Sequence, residues 1–501
     1  MRQFKVKSMR VKNEKELLEL IKDQKFVIYG GGWLGYAFIK TFYGKYKVFP
    51  EFVIDKRAGE GNKLLGIPAI SPDKVFKKIK SCIAIITMAK EDYIKEVEKF
   101  LKSIGFTKVV KFGKQFVKTL TIETIKNQYF SKPSDLEKKK KKLSTTPEDA
   151  VIKLPENSYI FHIGWGKTGS TSIQLSLWGW KHKKFLYPQF EWFDHNFLAL
   201  IDYKSLIKIP VFKVIPYQMV KKAKFENFFQ FVKYIKKFSE KKIFILSSEM
   251  VTLVSYRYLR FIQNFLSLFF KSGIIFGYIR EPYSFITSTY QQWLKDAFLP
   301  LSELEKCYFG YRRNFEKFFK VFGKKNVILK KFDPSRFPDG CVVKDFCQTF
   351  GIPLSEDRII RANVSLPKEV ISAVYLLRKY SKLKLTSTEV LFLKDLFEEI
   401  LPEDYKFTSF KISKEVIKPI VEKHKEDIKW MEEVLGEPLI TEKALKEPDP
   451  DYSIKKEEDL FVLPDELIEA LSLYTGIKVK SKKPEDLSKV LRVVILENFI
   501  V

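Results

Sequence analysis

The chain has 501 residues and a formal net charge of +29, with 45% apolar side chains, a length that exceeds one ordinary core and predicts two or three domains. No stretch near eighteen residues runs without charge, which excludes a membrane-spanning helix. Four cysteines (Cys82, Cys307, Cys341, Cys347) and four histidines (His162, His182, His195, His424) show no metal-ligand spacing, so no metal site is expected.

The N-terminus, Met1 to Arg10, alternates basic and single apolar residues and lacks the apolar core of a secretory signal. With so few cysteines, the expected location is the cytoplasm and the expected thiol state is reduced. From Lys15 to about Gly113 the pattern predicts strands at Phe26–Tyr29, Phe52–Ile54, Ile83–Thr87 and Val109–Phe112. Helices are predicted at Glu14–Ile21, Trp33–Phe42 and Asp92–Ile104. Such alternation means a parallel sheet with helices on its faces.

Within it, Gly30, Gly32 and Gly35 form G-x-G-x-x-G between strand and helix, and Asp55 ends the next strand. Glycines admit a phosphate to the backbone, the helix N-terminus favours the anion, and the carboxylate can hold a ribose hydroxyl. The run Gly66-Ile67-Pro68-Ala69-Ile70-Ser71-Pro72 resembles the N-terminal domain of sugar-nucleotide acetyltransferases, which implies a nucleotide-sugar or dinucleotide as ligand. No Ser-Tyr-Lys set accompanies it, so a binding or scaffolding role is expected over a dehydrogenase.

Asn127 to Asn157 breaks the pattern with Pro133, the lysine run Lys138–Lys142 and Thr145-Thr146-Pro147. A solvated linker is expected there, in preference to a lysine run that grips an anionic surface. Elsewhere the lysines are spread along the chain as a solvated surface has them, and no nucleic-acid-binding signature is present.

Strand and helix alternation resumes with strands predicted at Tyr159–Ile163, Ile243–Leu246, Ile274–Ile279 and Val327–Lys330, and helices at Phe225–Phe238 and Leu259–Phe270. After the first strand comes Gly164-Trp165-Gly166-Lys167-Thr168-Gly169-Ser170-Thr171-Ser172, then an apolar helix. Amides, helix dipole and a lysine converge there on an anion. It is not a Walker A loop, because Lys167 precedes Thr168-Gly169. A second segment pairs with it: Arg280-Glu281-Pro282 ends a strand, and Ser288 follows Arg280 by eight residues.

Together these segments resemble the two nucleotide loops of P-loop sulfotransferases, with glycine and serine replacing a proline and a threonine of the usual PKTGTT. The resemblance implies 3′-phosphoadenosine-5′-phosphosulfate (PAPS) as donor. It places Gly166, Lys167, Thr168, Gly169, Ser170 and Thr171 on the 5′-phosphosulfate, and Arg280 and Ser288 on the 3′-phosphate. Lys167 would neutralise the leaving oxygen. In relatives, stretches like Arg361-Ala362-Asn363-Val364-Ser365-Leu366 close the domain and can touch the nucleotide. Two residues compete as the base that takes the acceptor proton. Glu249 follows a strand as a glutamate does in sulfotransferases of the heparan type, and His195 has an ordinary pKa suited to proton transfer.

The expected fold is thus α/β: a Rossmann-like domain over 1–126, a linker over 127–157, a P-loop sulfotransferase fold over 158–400 and a mostly helical region over 401–501. The expected function is sulfuryl transfer from PAPS to a hydroxyl or amine, with a glycan as the expected acceptor. A nicotinamide-dependent oxidoreductase and a non-catalytic nucleotide-binding scaffold are the alternatives.

Overall fold

A computed structural model describes residues 7–22, 24–31, 33–46, 48–58, 63–65, 67–77, 82–88, 91–113, 116, 151–190, 194–200, 202, 226–362, 365–441, 445–479 and 481–499. Most of the expected linker, together with Gly32, Asn363 and Val364, lies outside the described residues. The chain divides into two compact units. One comprises Met1–Tyr129, Ser372–Phe407 and Phe461–Val501, the other Phe130–Ile371 and Thr408–Leu460.

The first unit is built on strands β1 (Lys7–Val11), β2 (Phe26–Tyr29), β3 (Val53–Ile54), β4 (Lys63–Leu64), β5 (Ile67–Ile70), β6 (Ile83–Ile86) and β7 (Lys108–Phe112). Their order is β1-β7-β6-β2-β3-β5-β4. Every pairing is parallel except that of β4 with β5. The central strands β2 and β6 are buried at every position, as strands covered on both faces must be, and so they read as unbroken apolar runs. Strand β1 is an addition to the expected set. Its basic alternation marks a sheet edge, where charged side chains discourage pairing with another chain.

Three C-terminal helices, Ser387–Ile400, Asp465–Thr475 and Pro484–Asn498, belong to this first unit. Phe499 stacks on Tyr36 with ring centres 5.5 Å apart and meets Phe392 edge-on at 5.0 Å. The amide of Leu65 donates to the Asn498 carbonyl (2.9 Å). The helical C-terminus is present, yet its helices are shared between two units, because their apolar faces close on aromatic residues far away in sequence.

The second unit carries strands β8 (Ser158–His162), β9 (Phe185–Leu186), β10 (Ile243–Ser247), β11 (Ser272–Ile279) and β12 (Val327–Lys331). They form an all-parallel sheet of order β12-β11-β8-β10-β9. One face is covered by the helix Ser170–Leu177 and the helix Val342–Phe350, which bury Ile173, Leu177, Val343, Phe346 and Phe350 against Ile160, Ile245, Phe276 and Tyr278. Each such large side chain contributes roughly 1.5–3 kcal/mol when fully buried. The helix expected at Leu259–Phe270 runs from Tyr256 to Ser267, because the Ser255 hydroxyl accepts from the Tyr258 amide and starts it earlier.

The consequence for function is the placement of β8 between β10 and β11. The loops leaving the carboxyl ends of these three neighbouring strands open side by side, which is where open parallel sheets hold ligands.

Candidate functional site

The loop after β8 is locked from below. Trp165, almost fully buried, packs its ring against Phe285 (5.0 Å between centres), Phe315 (4.9 Å) and Tyr311 (5.9 Å). The Thr168 hydroxyl donates to the Trp165 carbonyl (2.5 Å) and closes the turn. Two glycines have no substitute here. A Cβ on Gly164 would lie 1.9 Å from Ser170 Oγ, and Gly169 has φ +78° with Val342 Cγ1 2.6 Å from where its Cβ would be. Lys167 also sits in the left-handed region, at φ 68°, strain that a non-glycine residue keeps where the surroundings hold it.

Gly169 begins the helix Ser170–Leu177, which has no side-chain cap. The first intrahelical bonds come from Ser172 and Ile173 to the Gly169 carbonyl, so the amides ahead of them face the mouth of the loop. The Ser170 hydroxyl is buried and closes no full hydrogen bond. An uncapped helix end, a buried hydroxyl beside Glu249 and a lysine together have the chemistry to cradle an anion. Of the residues expected to line it, Ser170 and Thr171 stand at the helix start, whereas the Thr168 side chain is turned inward and only its backbone is left.

Arg280, at the end of β11, reaches the same loop. Its Nη1 donates to the Lys167 carbonyl (2.8 Å), its Nε donates to Ser284 Oγ (2.8 Å), and its guanidinium lies over the Phe332 ring (5.7 Å). The Arg280 carbonyl accepts from the Tyr311 hydroxyl (2.7 Å). Glu281 is the cap of the helix Pro282–Asp296, accepting from the amides of Tyr283 (2.9 Å) and Ser284 (2.6 Å). Ser288 lies one turn beyond Ser284 on the same helical face. Another turn on, Gln292 Oε1 accepts from Lys167 Nζ (3.4 Å).

Glu249 lies two residues past β10, at the start of the short turn Met250–Leu253. It is deep within the protein yet keeps some surface, as a group at the bottom of a cleft does. Burial raises its pKa from 4.5 to about 7; the nearby Ser170 hydroxyl and the Lys167 ammonium oppose that rise, and Asp194 adds to it. Asp194 is itself raised to about 6 by burial, against hydrogen bonds from Asn196. The Lys167 pKa is lowered by burial and by Arg280, with Glu249 and Asp296 acting the other way. Lysine, arginine and glutamate from three adjacent loops therefore share one electrostatic environment.

His195 is a different case, and the expectation that it could act as a base needs correcting. It is fully buried, its Nδ1 accepts from the Ser247 amide (3.0 Å), and its Nε2 donates to the Pro188 carbonyl (3.0 Å). Burial, partly offset by those bonds, lowers its pKa to about 4. Both nitrogens are committed to the backbone, so the ring pins the loop before the helix Phe197–Leu200 to β10.

In the first unit, Gly30 follows β2 with φ +108°, and a Cβ on Gly35 would lie 2.1 Å from the Gly30 carbonyl oxygen. The third glycine thus allows helix Trp33–Tyr46 to lie close on its strand. Asp55 accepts from the Gly31 amide (2.7 Å) and from the Arg57 backbone and guanidinium. Burial alone would raise its pKa, but the bonds from Arg57 and Gly31 bring it below the usual carboxylate value. The carboxylate expected to hold a ribose is here bonded to its own glycine turn.

The partners missed from sequence are Ser284, Gln292, Tyr311, Phe332 and Asp194. Ser284, Ser288 and Gln292 recur every four residues in one predicted helix, a row that was there to be read. Tyr311 and Phe332 come from distant elements and carry no local signal. The four cysteines are buried and free. Among the described residues no cluster of His, Cys, Asp or Glu is placed to hold a metal, and no helix is long and apolar enough to cross a membrane.

No family model matches the chain. An uncharacterized protein of Archaeoglobus fulgidus is 30% identical over 125 residues, which are 24% of this chain and 34% of that protein. Among solved structures, a sulfotransferase domain from the curacin biosynthetic pathway is 14% identical with a TM-score of 0.25, over 55% of this chain and 99% of that one.

Proposed function

We propose that the second unit is a sulfotransferase that moves a sulfuryl group from PAPS to a hydroxyl or amine, with a glycan as the acceptor. The observation that carries this reading is the convergence of Lys167, Arg280 and Glu249 from the loops after β8, β11 and β10, around an uncapped helix start. Two cations and free amides suit a donor with anionic groups at both ends. A carboxyl raised to about 7 suits a base near neutral pH.

In this reading the 5′-phosphosulfate lies in the loop Gly166–Thr171, and the 3′-phosphate lies between Arg280 and Ser288. Glu249 takes the proton from the acceptor O–H or N–H. The acceptor atom attacks sulfur in line, the bond from sulfur to the 5′-phosphate oxygen breaks, and Lys167 neutralises the charge that develops on that oxygen. The products are the sulfated acceptor and adenosine 3′,5′-bisphosphate. Positioning and electrostatics do most of the catalytic work, as in phosphoryl transfer.

Calorimetry with adenosine 3′,5′-bisphosphate tests the donor site. The wild type is expected to bind it, and Lys167→Ala and Arg280→Ala are each expected to weaken binding by roughly tenfold to a hundredfold, the range for a charge-assisted hydrogen bond. Equal binding by all three proteins rejects the reading.

A further inference from the structure

The Asn196 carboxamide joins the loop that carries Glu249 to a second carboxyl, Asp194. Its Oδ1 accepts from Ser248 Oγ (2.8 Å) and from the Met250 amide (3.2 Å), the residues on either side of Glu249. Its Nδ2 donates to Asp194 Oδ2 (3.0 Å), and the Asn196 main-chain amide donates to Asp194 Oδ1 (3.0 Å). Beside it the His195 amide donates to the Ser247 carbonyl (2.8 Å). None of these bonds uses the His195 ring.

The chemistry of the partners fixes which way the carboxamide faces. A main-chain amide can only donate, so the Met250 N–H must meet Oδ1, and Nδ2 is left for Asp194. An ionised carboxylate can only accept, which is what that end requires. The main chain of Glu249 is bound elsewhere too. Its carbonyl accepts from the Thr252 amide (3.2 Å) and hydroxyl (2.8 Å), and the Ser248 amide donates to the His162 carbonyl (3.0 Å). A local turn at Asp194 needs only the bond from the Asn196 amide. The three bonds of the carboxamide reach across to the loop after β10, and a turn does not call for them.

Resting on the reading of Glu249 as the base, we infer that Asn196 is a positioning residue, which fixes the Glu249 loop and holds the Asp194 carboxyl within electrostatic reach of Glu249. The groups that face Glu249 are then Ser170 and Lys167 from the loop after β8, and Asp194 across the carboxamide. Lys167 and Ser170 favour the ionised form, and Asp194 favours the protonated one. Asn196 thus sets both where the base stands and how tightly it holds a proton.

The test uses the full-length protein with Asn196→Ala and Asp194→Asn. Calorimetry reads the affinity for adenosine 3′,5′-bisphosphate. Infrared difference spectroscopy against Glu249→Gln reads the titration of the Glu249 carboxyl. Sulfuryl transfer from radiolabelled PAPS to extracted glycans is followed against pH, per folded molecule. Asn196→Ala is expected to lower kcat by about tenfold to a hundredfold, as for a reacting group displaced by about an ångström, with bisphosphate affinity and the KM for PAPS unchanged. Asp194→Asn keeps the shape and removes the charge, so the Glu249 titration and the rising limb of the rate are expected to move together to lower pH. If Asn196→Ala does not fold, Ser248→Ala removes one of the two bonds on Oδ1 and is expected to give a smaller loss of kcat of the same kind. Variants that lose only stability, with kcat per folded molecule and the Glu249 titration unmoved, overturn the inference while the donor site stands. Failure of the wild type to bind the bisphosphate is a separate result; it removes the donor reading and this inference with it.

Discussion

Glu249→Gln should make the protein more stable and less active, and both effects should grow with pH. In the folded protein the Glu249 pKa is raised from 4.5 to about 7, chiefly by burial. A carboxyl raised on folding binds its proton more tightly in the native state than in the unfolded chain. Stability therefore falls as pH rises from 4.5 to 7, and the loss is complete above 7. At 1.36 kcal/mol per pH unit, the full loss has an upper bound of about 3 kcal/mol. Glu249 keeps some surface, so solvent screening brings the expected value to about 1–3 kcal/mol. Glutamine does not titrate. The stability of Glu249→Gln minus that of the wild type, from urea unfolding, should rise by this amount between pH 4 and pH 8. Sulfuryl transfer from radiolabelled PAPS to extracted glycans should move the opposite way. In the wild type it should climb with an apparent pKa near 7, and in Glu249→Gln it should fall by about a hundredfold to ten-thousandfold and lose that limb. A stability difference that stays flat with pH, or a variant that retains the rising limb, refutes the assignment of Glu249 as the buried base.

Two further substitutions separate structural residues from chemical ones. His195→Ala should cost about 2–4 kcal/mol of stability, because it empties a buried site and leaves the Ser247 amide without its acceptor. Its transfer rate per folded molecule should stay near that of the wild type, and an inactive but fully stable variant would return the base role to His195. Gly35→Ala should destabilise the first unit by about 1–3 kcal/mol or more, since its Cβ meets backbone rather than a movable side chain. Thermal unfolding followed by circular dichroism measures this, and an unchanged transition would show that the helix–strand contact is looser than 2.1 Å between Cβ and carbonyl oxygen implies.

The α/β class and both parallel sheets were legible because a covered parallel strand is an unbroken apolar run between turn residues. Phe26–Tyr29, Ile83–Ile86 and Ile243–Ser247 are such runs. The short strands Lys63–Leu64 and Phe185–Leu186 are too brief to show a period. The sharing of C-terminal helices between two units was not legible, because Phe499 against Tyr36 is a contact between opposite ends of the chain. Lys167, Arg280 and Glu249 could be picked out since each follows a predicted strand, and parallel strands send such residues to one edge. His195 misled because an unperturbed pKa says nothing of burial; only the fold reveals that Ser247 and Pro188 occupy both its nitrogens.

The charges around the loop after β8 make physical sense only as a set. Burial alone disfavours ionisation of Lys167, Lys295, Arg280 and Glu249 alike, and Lys167 is further opposed by Arg280 and itself opposes Lys295. Packed apolar residues would stabilise the fold better at those positions. What the arrangement provides instead is a preorganised field, positive at Lys167 and Arg280 and negative at an ionised Glu249. On the proposed reading, a polyanionic donor beside Lys167 would relieve the repulsion among the cations. The same donor, arriving beside Glu249, would oppose ionisation of that carboxyl and raise its proton affinity. If Glu249 is the base, as proposed, its proton affinity would then be highest with the sulfuryl group in place, which would couple deprotonation of the acceptor to occupancy of the donor site.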